Sequence, residues 1–183
     1  MNILIYLIII YIVLIIISPV RYYFVLPTIP IYPNNEKESL EVMKYISKRS
    51  LNDEDFFKLT DDSVSSAFFS VVPESKEELN NMITSPHVYM VILFFKYIIN
   101  RARPGQIKSD LNVLKSETVN TPAYPAGHAL QAYYLAKVLG RKYPDLKDKL
   151  DVLAKKCDIV RVKAGLHYPS DGEFSKMIVD WFY

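Results

Sequence analysis

No stretch of this 183-residue chain sustains apolar and polar alternation over several strands, whereas apolar residues recur at helical spacing between capping residues, prolines and glycines. The contrast predicts an all-α fold. Asn34 or Asn35 can cap a helix starting near Glu36, with Leu40, Met43, Tyr45 and Ile46 as its partly helical apolar set. Ser50 precedes an acidic first turn and then Phe56, Phe57 and Leu59. Acids there suit the positive end of a helix better than they suit a metal site. A short helix is expected over Val64 to Val72, and another from the SKEELNNMI segment after Pro73. The run HVYMVILFFKYIINRARPGQ reads as a buried helix ending before Pro104 and Gly105, with His87 as a structural residue at its start. Three more helices follow. One starts near Gly127 and carries Leu130, Tyr133, Tyr134, Ala136, Val138 and Leu139. The next, Leu146 to Val162, carries Leu150, Leu153, Ala154, Cys157, Ile159 and Val160. The last, Asp171 to Tyr183, puts Phe174, Ile178 and Trp181 at core-like spacing.

The length suits one domain with a substantial core. A formal net charge of +2 leaves no concentrated basic surface of the kind nucleic-acid binders carry, so no nucleic-acid partner is expected. The single cysteine, Cys157, rules out an internal disulfide framework and falls in a core-like helical stretch.

The N-terminus has a different character. Fifteen consecutive apolar residues run from Ile3 to Ile17, and no charge occurs before Arg21. Residues 1–20 are near the length that spans a bilayer, which makes them a single-pass membrane anchor; a signal-like segment or a buried core helix are the alternatives. Residues 21–35, rich in proline and carrying Tyr22, Tyr23 and Phe24, form a linker, and residues 36–183 form the helical domain. A positive-inside reading of Arg21, Lys37, Lys44, Lys48 and Arg49 keeps that domain in the cytosol, but one short flank does not fix the side.

Three segments carry the candidate chemistry. Arg161 to Asp171, RVKAGLHYPSD, places a guanidinium, the His167 imidazole and the Asp171 carboxylate within eleven residues. Asp171 lies four residues past His167, about one helical turn, so it can fix one ring nitrogen and leave the other to attack; a helix-capping role is the plain alternative. Lys96 and Arg103, seven residues apart, return to nearly the same face of a continued helix about 10.5 Å further along and can converge on an anion. The plain alternative is a snorkelling Lys96 and an Arg103 on C-terminal carbonyls. Gly127 and His128 fall at a helix start, where unpaired backbone N–H groups favour anions.

Taken together, these segments resemble the signatures of the type 2 phosphatidic acid phosphatase and vanadium haloperoxidase superfamily. KYIINRARP supplies Lys96, Arg103 and Pro104; PAGH supplies Pro125, Gly127 and His128; VRVKAGLHYPSD supplies Arg161, His167 and Asp171. Order and internal spacing match. The sequence departs from the pattern where Ala126 and Val160 stand in place of two serines, deleting hydroxyls and leaving the charges. A lost hydrogen bond to a charged ligand is worth about 1.5–3 kcal/mol, which slows catalysis without abolishing it.

The resemblance implies a helical bundle with its site among helix ends, in an acid phosphatase-like member tethered by one N-terminal transmembrane helix. It implies a metal-independent, cofactor-free hydrolase for phosphate monoesters, with a phosphorylated small molecule, lipid phosphate or pyrophosphate as substrate. His167, held by Asp171, would be the nucleophile and His128 the acid and base. Lys96, Arg103, Arg161 and Gly127 would hold the phosphate. Two rivals are a vanadate-dependent haloperoxidase, because the same cluster would take vanadate, and a noncatalytic anion-binding membrane scaffold.

Overall fold

The structure, a computed structural model, describes residues 32–183 together with Tyr6, Ile9, Ile10, Ile12 and Val13, which are helical. The rest of the expected anchor, and the linker up to residue 31, lie outside the described residues.

All regular structure among residues 32–183 is helical, in nine α-helices: α1 (Asn35–Ser47), α2 (Leu51–Asp61), α3 (Ser65–Phe68), α4 (Lys76–Ile83), α5 (Pro86–Ile99), α6 (Pro104–Ile107), α7 (Gly127–Lys142), α8 (Lys147–Lys163) and α9 (Pro169–Phe182). Two 3₁₀ turns, Glu117–Asn120 and Pro144–Leu146, lie in the connections. The all-α expectation holds at this level. The antiparallel neighbours α7 and α8, joined through the second 3₁₀ turn, form the most extensively packed pair. Helix α9 packs on both, α1 and α2 flank α8, and α4 and α5 flank α7. Leu130, Leu135 and Leu139 of α7, Leu150, Ala154 and Cys157 of α8, and Phe174 and Ile178 of α9 interlock in the main core.

Local chemistry sets the starts. Asn34 accepts from the Lys37 N–H to cap α1, and Ser50 and Ser75 cap α2 and α4 in reciprocal boxes with Asp53 and Glu78. The acidic stretch at α2 is thus a helix start, with Asp53 also bonded to Lys163 at 2.8 Å. At the end of α8, Gly165 takes a left-handed φ of 78°, and the Leu166 N–H reaches back to the Arg161 carbonyl at 3.1 Å. A side chain there would be strained, and its Cβ would also press on Val113 at 3.1 Å. This reversal brings His167 back beside Arg161. No single helix among the described residues is long and apolar enough to cross a membrane.

Several expected details are corrected. The helix over Val64 to Val72 is a single turn, Ser65–Phe68, followed by turns. Helix α5 stops at Ile99, where Asn100 takes a left-handed φ of 50°, so Arg103 is not on its face. In α1 the inward positions are Glu38, Ser39 and Val42, while Leu40 and Met43 are exposed, because Glu38 is drawn in by a buried arginine. Trp181, expected in the core, is 60% exposed.

Candidate active site

Five residues from three sequence segments converge at the N-terminus of α7. Lys96, on the last turn of α5, is buried, and its stem passes 3.5 Å from where a Gly127 Cβ would stand. Its ammonium donates to the Pro122 carbonyl. Arg103 reaches the cluster by the chain reversal at Asn100 and an extended approach to α6, rather than by helical spacing. Its guanidinium donates to the Thr121 carbonyl at 2.6 Å, the Leu166 carbonyl at 2.7 Å and the Thr121 hydroxyl at 2.9 Å. Arg161, on the last turn of α8, donates to Asp61 at 2.9 Å and the Thr118 hydroxyl at 2.9 Å.

The loop Ser116–Ala123 was not singled out in the sequence, yet it organises these cations. Ser116 and Thr118 face Arg161, Thr121 faces Arg103, Pro122 faces Lys96, and the Ala123 carbonyl lies at the His167 ring. Its only sequence signal is a run of short hydroxyl-bearing residues ahead of the PAGH turn. Asp61 was also missed. It closes α2, takes Arg161 on its side chain, and accepts on its main-chain carbonyl from His128 Nε2 at 2.8 Å. The carbonyl can only accept, so this ring nitrogen carries a proton.

Asp171 departs from its expected role. Its Oδ2 is 3.7 Å from His167 Nδ1, beyond hydrogen-bond length, and Nδ1 is buried with no hydrogen-bond partner. Oδ2 instead accepts from the Tyr168 N–H at 2.8 Å at the start of α9, and Oδ1 accepts from Arg101 at 2.6 Å. The capping alternative is therefore realised, with the carboxylate still beside the ring. The physical reason is Arg101, a fully buried guanidinium that also pairs with Glu38 at 2.7 Å and donates to Ser170 at 2.7 Å and Asn35 at 2.9 Å. The Tyr168 ring covers it at 3.9 Å and the Tyr32 ring at 4.4 Å. The sequence signal was the Arg-Ala-Arg doublet, of which only the second arginine was assigned a role.

Electrostatics reflects this crowding. Burial, then Arg103, Arg161 and Lys96, hold the His167 imidazole well below the usual histidine range. Burial and then Arg161 do the same to His128. Burial and the neighbouring Arg103 lower the Lys96 ammonium. Burial pushes the Asp171 carboxyl up while Arg101 opposes it. Burial opposes the charge on Arg101, but Asp171 and Glu38 outweigh it and hold that guanidinium above its ordinary value. Both histidines are thus neutral near pH 7, and the surrounding cations favour an anion between them.

The two departures from the motif pattern occupy different settings. Val160 packs with Phe57, Ala164 and Leu166 in a small apolar cluster, so an aliphatic side chain fits there. Ala126 is the N-cap of α7, fully buried and with no side-chain cap, its N–H bonded to the Asp171 carbonyl at 3.2 Å. The start of α7 therefore has no side-chain acceptor at its N-cap. No protein-family model and no characterised protein matches this chain.

Proposed function

We propose that this protein is a metal-independent phosphatase for phosphate monoesters, working through a phosphohistidine and belonging to the type 2 phosphatidic acid phosphatase superfamily, with residues 1–20 anchoring it in a membrane. The observation that carries the reading is the convergence of Lys96, Arg103 and Arg161 on two neutral histidines at the start of α7. Asp61 pairs with Arg161, and a phosphate dianion would add negative charge where the three side chains meet.

In this mechanism His167 attacks phosphorus through Nε2, because Nδ1 faces Asp171. The ester P–O bond breaks in line as the P–N bond forms. The three cations and the N–H groups opening α7 hold the nonbridging oxygens as charge builds in the transition state. His128 is neutral without substrate, and a bound dianion raises its affinity for a proton by offsetting Arg161. It gives that proton to the departing alkoxide, then takes one from the water that cleaves the P–N bond and restores His167. Arg101 positions Asp171 beside the nucleophile without touching the substrate.

Phosphate release from p-nitrophenyl phosphate tests the reading. His167→Ala, folded by circular dichroism, should release none, and vanadate should inhibit the parent protein by occupying the same cluster. Wild-type turnover in that variant would remove His167 as nucleophile. Vanadate-dependent halide oxidation with peroxide would point to the haloperoxidase instead.

A further inference from the structure

Apart from His87 in its first turn, helix α5 exposes only apolar and aromatic side chains, although just one side of it is buried. Of its fourteen residues, Lys96 is the only Asp, Glu, Lys or Arg, and it is buried. Outward stand Tyr89 at 51%, Met90 at 63% and Phe94 at 51% exposure. A helix on a water-facing surface ordinarily turns charged residues outward, and a helix apolar all round is ordinarily enclosed. The end of α9 continues the same surface with Trp181 at 60% and Phe182 at 55% exposure.

These side chains form one patch, joined by ring contacts. Phe95 lies 5.2 Å from Phe94 and 6.3 Å from Phe182, and Phe174, 5.5 Å from Phe95, lies 6.0 Å from Trp181. The patch also connects to the point where the chain enters the domain. Tyr32 is 5.5 Å from Tyr124, which stacks on Phe174 at 4.4 Å. The chain ahead of Tyr32 carries the fifteen-residue apolar run from Ile3 to Ile17. The chain thus joins the domain behind the same stack of rings that the exposed aromatics cap.

We propose that the outer face of α5 and the C-terminal end of α9 lie against a phospholipid bilayer. Tryptophan and tyrosine match the boundary between headgroups and acyl chains, where an apolar body and a polar group are both accommodated, and phenylalanine and methionine match the acyl chains themselves. The outward face of α5 carries no lysine or arginine, so docking is driven by apolar burial and needs no anionic lipid. The proposal is independent of whether the site is a phosphatase.

Trp181 is the only tryptophan in the chain, so its fluorescence reports on this patch alone. The full chain is reconstituted in phosphatidylcholine vesicles and exposed to aqueous iodide or to phosphatidylcholine with brominated acyl chains. The brominated lipid should remove most of the emission while iodide removes little, with no dependence on salt. In Phe94→Glu and Met90→Glu, checked for retained helicity, brominated lipid should lose its effect and iodide should regain it. Quenching of the unaltered protein by iodide and not by brominated lipid would place the face in water and overturn the proposal. Shielding from both quenchers would overturn it too, assigning the face to a second copy or to the chain's own apolar segment.

Discussion

Arg101 and Arg103 are two residues apart and both buried, yet they meet different surroundings. Arg101 meets the carboxylates of Glu38 and Asp171, two further side-chain acceptors and two aromatic faces. Arg103 donates to the oxygens of Thr121 and Leu166, and its charge acts on Lys96 and His167. A compensated cation ties elements together, here α1 to the start of α9. A guanidinium set beside another cation and a histidine is placed to meet an anion. Burial alone does not distinguish a structural arginine from a binding one; the charge of its partners does.

The sharpest separation is expected from alanine at each position. Arg101→Ala strands two buried carboxylates and should cost about 3–5 kcal/mol of unfolding free energy, read by urea titration. Arg103→Ala, which removes donors to Thr121 and Leu166 beside the histidines, should act mainly on turnover. Its kcat/KM for p-nitrophenyl phosphate should fall by about 100- to 1000-fold, the scale of removing one preorganised donor to developing negative charge. Equal stability losses with no difference in turnover would erase the distinction between the two arginines.

The contrast also sets pH behaviour. His128 and His167 are held below their ordinary values, so the unfolded state binds more protons than the folded one as the medium becomes acidic. Their contribution to stability is fully present above about pH 6.5, the ordinary histidine value, and is lost as pH falls through and below it. Thermal melts of the free protein should show that decline. Sulfate, a dianion throughout, should oppose it by about 2.7 kcal/mol at a concentration 100 times its Kd. Arg103→Ala should lose most of the sulfate effect. The smallest effect is expected at Ala126, where Ala126→Ser adds a capping hydroxyl worth about 1 kcal/mol to α7. Turnover should rise as well if that oxygen also meets the anion.

The sequence exposed what depends on local spacing. Helix caps at Asn34, Ser50 and Ser75, the apolar sets of α7 and α8, and the residues of the cationic cluster follow from patterns within short segments. What it hid depends on pairing across the chain. Nothing within α1 marks Glu38 as inward; Arg101, 63 positions later, gives it a reason to turn in. Asp61 is 100 positions from Arg161, and no helical period relates them. The Lys96 and Arg103 spacing led to the right pair through the wrong geometry, since Asn100 breaks the helix between them. Trp181 sits at core spacing on α9 but faces outward, because periodicity identifies an apolar stripe and not what covers it.

The central claim is that the neutral, cation-surrounded His167 takes the phosphoryl group. A turnover mixture quenched in alkali, where a phosphorus–nitrogen bond survives, can be digested and its phosphorylated peptide sequenced by mass spectrometry. Phosphate on His167, absent from His167→Ala and accumulating in His128→Ala, is the expected result. Product formation with phosphate on another residue, or on none under conditions that preserve phosphohistidine, would contradict it.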